Sequence, residues 1–354
     1  LLTLLFTSCN ADASAGLFKQ LADAKKPVEI RYRQIIGKDG TDLYFLTNDG
    51  IYIYKTDGNT TTTVRENKKG HPVYEAYLDT TNDLIIYLIN EDDNAVVYRW
   101  NLNNNEDEKM KNVSSLKLDE IKIKHLLPNG GIVVQGKKSS KDAFSIITHN
   151  YSTDTSGSEV VFDDLDGYGI DSILFMSGKQ QDPAEFIISF VKGKSFKHYY
   201  NTQANEVSLA SSLAGFSVIG ANLYLITRDG NLYGSAIPSG STTPTLMKKL
   251  SKEFPSNAFI YGVSSGTDTH LITKTTTANE ALFVVSIDNT NAVDTTVVST
   301  GYASQMSNVN IVSAFEKATG KLLIATEKNG MFDITITDAA TGEGSSAGPE
   351  DYTL

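Results

Sequence analysis

Cysteine is almost absent from this 354-residue chain: Cys9 stands alone, so no disulfide can form within it and no thiolate metal cluster can be built. Tryptophan is as scarce, with Trp100 the one example, and proline occurs only eight times. Positive charge is in deficit. The 31 Lys and Arg face 42 Asp and Glu, for a net charge of −11 at pH 7. A protein that grips a phosphate backbone needs a basic face to displace counterions, which argues against nucleic acid as a partner. Convincing helical periodicity is missing from about residue 30 onward. What is there is 40% hydrophobic and 9% aromatic, enough for a substantial core and too much for global disorder.

The chain opens Leu1-Leu2-Thr3-Leu4-Leu5-Phe6-Thr7-Ser8-Cys9. This apolar stretch ending in small residues reads as the truncated end of a secretory signal. It is too short to cross a bilayer, which takes about 20 residues. Leu5–Cys9 resembles a bacterial lipobox, in which a small residue precedes the cysteine that receives diacylglycerol. With Phe6 it is similar to the looser boxes of spirochaete-like lipoproteins. The resemblance implies lipid on Cys9, a membrane anchor, and a place in the bacterial cell envelope, periplasmic or on the outer-membrane surface. Residues 1–9 are accordingly assigned to signal and lipobox, and 10–28 to a polar tether with one short helix before Pro27. Residues 29–338 are assigned to the folded body, and 339–354 to a flexible tail or closing strand.

The body is a repeat. Leu43-Tyr44-Phe45-Leu46 turns through Thr47-Asn48-Asp49-Gly50 into Ile51-Tyr52-Ile53-Tyr54, and Asp-Gly between two β-rich runs marks a hairpin. Comparable hairpins begin at Leu84, Gly131, Ile173, Leu223, His270 and Leu322, giving intervals of 41, 47, 42, 50, 47 and 52 residues. Propeller blades recur at about 40–50 residues. Flanking strands complete most units, although the fourth inner strand and the last outer strand are poorly defined. Middle strands such as Leu84–Ile89 are continuously apolar, as expected of sheets covered on both faces. The expected fold is all-β: a seven-bladed β-propeller of four-stranded antiparallel blades. A pair of β-sandwiches would explain the strand count but not the even spacing. The unit of strand, Thr-x-x-Gly and Leu-x-x-Tyr, clearest at Leu43–Tyr52 and weaker at Leu223–Tyr233 and Leu322–Phe332, resembles ligand-sensing propellers of bacterial regulators. The Gly-His and Trp-Asp marks of WD repeats and the Ser-x-Asp-x-Gly-x-Thr-Trp box of sialidases are absent.

Candidate chemistry is thin. Asp163–Phe175 resembles the calcium loop of integrin-type propellers, with Asp164 and Asp166 in ligand positions, but Tyr168 and Ser172 stand where that loop has acids. Calcium is thus the one cofactor in view, and an acidic turn is the default. Gly262-Val263-Ser264-Ser265-Gly266 matches a nucleophile elbow but leads into a strand where the elbow needs a helix. The histidines His71, His125, His149, His198 and His270 fall in different blades. Trp100 shares a strand face with Val96, Tyr98 and Leu102 and reads as core between blades.

Three hairpin connections look long, at Lys137–Asp142, Gly178–Pro183 and Thr275–Glu280, and long loops on a rigid scaffold suit recognition. Candidate binding residues are Lys137, Lys138, Lys141 and Asp142 in the third blade, Lys179, Gln180, Gln181 and Asp182 in the fourth, and Thr276, Asn279 and Glu280 in the sixth. The function expected is a non-catalytic module that binds a protein or glycan of the envelope. An enzyme using channel carboxylates on polysaccharide or peptidoglycan, and an outer-membrane assembly scaffold, are the competing readings.

Overall fold

A run such as Leu84-Ile85-Ile86-Tyr87-Leu88-Ile89 has no wet face to offer, and all six side chains are buried in the structure, a computed structural model. The structure describes residues 31–342 except 49, 56–59, 67–71, 92–93, 116, 128–129, 164–172, 177–186, 201–202, 221, 237–243, 299–305 and 308. It forms seven antiparallel sheets, each built from strands consecutive in sequence.

Blade 1 is β1 (Tyr32–Asp39), β2 (Asp42–Thr47), β3 (Gly50–Lys55) and β4 (Thr60–Glu66); blade 2 is β5 (Val73–Asp79), β6 (Leu84–Glu91), β7 (Asn94–Asn101) and β8 (Glu106–Lys109). Blade 3 is β9 (Asp119–Leu127), β10 (Gly131–Lys138), β11 (Lys141–Asn150) and β12 (Thr155–Phe162). Blade 4 follows as β13 (Ile173–Met176), β14 (Ile187–Lys192), β15 (Ser195–Tyr200) and β16 (Gln203–Ser208). Blade 5 is β17 (Leu213–Ile219), β18 (Asn222–Thr227), β19 (Asn231–Ala236) and β20 (Thr245–Lys249). Blade 6 is β21 (Tyr261–Ser265), β22 (Asp268–Thr273), β23 (Leu282–Ile287) and β24 (Val293–Val298), and blade 7 is β25 (Ile311–Ala318), β26 (Lys321–Thr326) and β27 (Met331–Thr335). A short helix, α1 (Ile336–Thr341), ends the described chain, so Ile336 and Thr337 are helical where the sequence pattern continues the strand. Its Ile336 and Ala339 are buried in the core between blades 6 and 7.

Apolar seams join the blades. Trp100 and Ile85 of blade 2 pack with Tyr44 and Leu46 of blade 1; Ile86 and Leu88 of blade 2 meet Ile132 and Val134 of blade 3. Phe45 and Leu43 of blade 1 pack on Leu323, Ala325 and Met331 of blade 7, which closes the ring. The first strands of blades 5, 6, 7, 1, 2 and 3 lie against one another in that order, making them the inner wall.

The threonine of the sequence repeat has a structural task. Thr47, Thr227 and Thr326 are buried where the second strand of the blade ends. The Thr47 and Thr326 hydroxyls donate to the carbonyls of Gly50 (3.2 Å) and Gly330 (2.9 Å), whereas that of Thr227 donates to Asp229 Oδ1 (2.6 Å) and accepts Asn231 N–H (2.9 Å). Each hydroxyl thus fastens the turn that follows its strand. Gly230 closes its turn at φ 84°, in the left-handed region, and a side chain there would strike the carbonyl oxygens of Lys252 and Leu250.

Blade 4 is out of phase with the sequence reading. Ile173–Met176 and its return were expected to be second and third strands, with Ser195–Tyr200 outermost; they are first, second and third, and Gln203–Ser208 is outermost. The outermost strand of blade 2, Glu-Asp-Glu-Lys, was likewise not expected. Both missed strands are polar because an outermost strand has little of the core to cover, so they carry no apolar signal.

Ser145 on β11 lies between Ala143 and Ile147, fully buried, and its hydroxyl has no hydrogen-bond partner among the described residues. A buried hydroxyl without a partner costs free energy that a methyl group does not. Ser145→Ala is expected to raise stability by roughly 0.5–1 kcal/mol in urea denaturation. A clear loss would show that the hydroxyl has a partner.

Candidate functional site

Two of the three loops singled out in the sequence, those of the third and sixth blades, lie among the described residues. Lys137–Asp142 is not a long loop. Lys137 pairs with Asp142 and Lys138 with Lys141, leaving Ser139 and Ser140, at φ 51° and 67°, as a two-residue turn. Positive φ at both central residues suits the turn to the twist of its strands. Lys137 and Lys138 pair with Glu120 (2.8 Å) and Asp163 (2.6 Å), holding both carboxyls below the usual carboxylate range. Lys179, Gln180, Gln181 and Asp182 lie outside the described residues. Asp164 and Asp166 also lie outside the described residues.

The sixth-blade loop is long, but it is tied down. Thr276 N–H donates to Glu253 O (2.9 Å), and Glu280 accepts from Thr275 (2.6 Å) and pairs with Lys252. Asn279 takes φ 67° at its bend. These bonds hold the loop against the connection between blades 5 and 6.

A repeated β-bulge sets the inner wall. Arg33, Tyr74, Lys124, Ala214 and Val312 are each the extra residue that the neighbouring strand skips. In blades 1, 2 and 7 the residue after the bulge is turned towards the next blade. Gln34 donates to Ala76 O (2.8 Å) and accepts from Ala76 N–H (3.1 Å). Glu75 accepts from Leu126 N–H (3.2 Å) and stands 3.3 Å from His125 Nδ1. Ser313 accepts from Ile35 N–H (3.0 Å), linking blade 7 to blade 1. In blade 6, Tyr261 holds the corresponding register and accepts from Glu316 N–H (3.1 Å). In blade 5 the residue is Gly215, where a Cβ would lie 2.3 Å from Ala258 O. Backbone edges of the first strands are thus satisfied from blade to blade, and the Glu75 carboxylate is engaged in that work.

The same ladders dispose of two other candidates. Gly262–Ser265 lies within strand β21, with Gly266 in the turn after it. His270 lies on β22 with Nδ1 2.9 Å from Ser286 Oγ, and burial pushes its pKa down.

A recess opens where blades 2 and 3 meet, at the end of the ring that carries the turns from first to second strand. One cavity of about 500 Å³ is bordered by Tyr77, Asp79, Asn82, Asn150, Thr155 and Ser156. An adjoining one of about 770 Å³ shares Asn82 and extends past Arg99, Asn101, Asn105, Glu106 and Ser152. At the floor of the first cavity the His149 side chain is fully buried, with Nε2 3.1 Å from Asp154 Oδ1 and Nδ1 3.1 Å from Ser156 Oγ. Burial pushes the His149 pKa down, although Asp154 pulls the other way.

Ser, His and Asp in contact invite comparison with a hydrolytic triad, but the bonding differs. Ser156 Oγ lies 2.8 Å from Asn112 O and donates to it, and Asp154 accepts Lys111 N–H (2.9 Å). An activated serine must hand its proton to the imidazole and stand free to attack. Here the hydroxyl bridges imidazole and backbone, fastening the turn at 151–154 to the chain entering blade 3. Among the described residues, no three His, Cys, Asp or Glu side chains are grouped to hold a metal ion.

The sequence reading missed this recess. Its local signal, Asn101-Leu102-Asn103-Asn104-Asn105, is visible only as a turn; the partner turn at 150–157 is about fifty residues away.

No protein-family model matches the sequence, and no curated protein matches it. Similarity appears among solved structures. A chain from "Crystal Structure of Mitotic Checkpoint Complex" aligns at TM-score 0.55 and 8% identity over 84% of this chain and 84% of that one. Sqt1 of Saccharomyces cerevisiae aligns at 0.56 and 8% identity over 91% and 85%. YCF48 from Cyanidioschyzon merolae aligns at 0.54 and 12% identity over 85% and 94%. At these identities the likeness is one of fold.

Proposed function

We propose that the chain is a non-catalytic protein-binding scaffold of a bacterial cell envelope, tethered to membrane by lipid on Cys9. The observation that carries the binding half is the bonding of the ring itself. Gln34, Glu75, Tyr261 and Ser313, which could have furnished a catalytic centre on the inner wall, are engaged in joining blades. Such a ring is a rigid support, and function then falls to its surface. The solved chain from a mitotic checkpoint complex, similar in fold, is itself part of an assembly and supports the same reading. The address rests on Leu5-Phe6-Thr7-Ser8-Cys9.

Metabolic labelling with a palmitate analogue in a bacterial host is expected to tag the natural chain and leave Cys9→Ala untagged. Equal labelling of the two would overturn the anchor. Cross-linking of the anchored chain in the envelope, followed by identification of the attached proteins, is expected to return a defined partner. Its absence would overturn the scaffold role.

A further inference from the structure

We propose that the recess between blades 2 and 3 is a binding site for a neutral oligosaccharide, an activity additional to the protein-binding role and independent of it. The cavities of about 500 and 770 Å³ adjoin at Asn82, and each falls in the roughly 300–1,000 Å³ range of small-ligand sites.

The hydrogen-bonding character of the rim follows from its turns. Asn101 Oδ1 accepts Asn103 N–H (2.9 Å), and Asn150 Oδ1 accepts Ser152 N–H (3.0 Å). Asn105 Oδ1 accepts the Trp100 indole N–H (3.0 Å). Each amide has therefore committed its oxygen to the protein. The NH₂ groups of these three residues have no acceptor among the described residues and remain as donors.

Acceptors stand between them. Asp79 takes Thr81 N–H (3.0 Å) and the Asn82 amide (2.8 Å), and Glu106 takes the Asn104 amide (2.9 Å). Each carboxylate retains lone pairs for further donors. A sugar hydroxyl both donates and accepts, so a chain of them suits a rim of interleaved amides and carboxylates. Tyr77, half-buried, provides apolar floor for the C–H face of a sugar ring.

Charge and polarity narrow the ligand. Among the described residues Arg99 is the one cation bordering the two cavities, and it is occupied by Glu108 and by the carbonyls of Tyr151 (2.8 Å) and Ser152. An anionic ligand would meet carboxylates with no free positive charge to bind. The exposed large apolar side chains, Tyr74, Leu246 and Val297, border neither cavity, so the recess offers little to a hydrophobic peptide. Asp79 and Glu106 are engaged by neutral donors of the protein and Glu108 by Arg99, which favours a neutral ligand over a basic one.

The test uses the full chain in detergent on an array of neutral, acidic and basic glycans and lysine-rich peptides, followed by titration calorimetry with the best neutral oligosaccharide. Asn101→Asp and Asn150→Asp keep the oxygen that holds each turn and replace the NH₂ donor by an acceptor. Each variant is expected to weaken neutral-glycan binding roughly tenfold, the worth of one hydrogen bond, at an unchanged melting temperature. Leu246→Ala, on the outermost strand of blade 5, is expected to bind as the natural chain does. Failure of every neutral glycan to bind would overturn the proposal, as would equal binding by both Asn→Asp variants. Lysine-rich peptide binding that tightens in those variants would reassign the recess to a basic partner. Loss of lipid labelling or of the protein partner would leave these results unaffected.

Discussion

Trp100→Ala is expected to destabilise the protein by about 3–5 kcal/mol, the range for deleting a large buried aromatic side chain. Trp100 is 1% exposed on β7 and belongs to the seam between blades 1 and 2, with Tyr44, Leu46, Ile85 and Tyr87. Two terms add. Removing the indole forfeits its burial and leaves a cavity that two rigid sheets cannot close. It also strips Asn105 Oδ1 of its donor, at 3.0 Å, and loosens the turn at 102–105. Trp100→Phe should lose less, since the ring is partly kept. Because Trp100 is the sole tryptophan, unfolding is followed by far-ultraviolet circular dichroism in urea, which both variants report equally. A loss below about 1 kcal/mol for the alanine variant would mean that the seam is loosely packed.

Lys274→Met is expected to cost roughly 2–3 kcal/mol, since it deprives several carbonyls of their donor. The Lys274 ammonium donates to the carbonyls of Met306 (2.5 Å), Ser307 (2.9 Å) and Val309 (2.7 Å), tying the sixth-blade loop to the entry of blade 7. No carboxylate is paired with it among the described residues, and burial brings its pKa from 10.5 down to about 8. The sign follows from proton counts. Between about pH 8 and 10.5 the unfolded chain holds a proton on Lys274 that the folded chain has released. Stability contributed by this group therefore rises with pH across that window, having been lowest below it. The difference in unfolding free energy between the natural chain and Lys274→Met, measured from pH 7 to 10.5, should accordingly shift in favour of the natural chain. A shift the other way would mean that the three carbonyls hold the proton more strongly than burial expels it.

The number of blades, the hairpin positions and the burial of Trp100 were legible in the residues because their causes are local. A hairpin needs two apolar runs and a turn that tolerates positive φ, all within about fifteen residues. A strand covered on both faces must be apolar throughout, and Leu84–Ile89 shows it without any knowledge of its neighbours. Even Trp100 could be placed, since Val96, Tyr98 and Leu102 declare the same face of one strand and pack beside it. Polar strands escaped: Glu106–Lys109 and Gln203–Ser208 are held by hydrogen bonds to the strand before them, which sequence does not display.

The tertiary structure decided what lies opposite what. Lys137–Asp142 looked like an open loop until its ladder showed a two-residue turn. Gln34, Glu75 and Ser313 share no sequence motif; a bulge at one level of successive blades places them in register, and only the ring brings their targets within reach. The recess between blades 2 and 3 pairs Asn82 with Ser152, seventy residues apart. Local chemistry determines blades, because strands and turns are made by neighbours in the chain. The surfaces a partner or glycan would meet are made by blades side by side, and that adjacency exists only once the ring has closed.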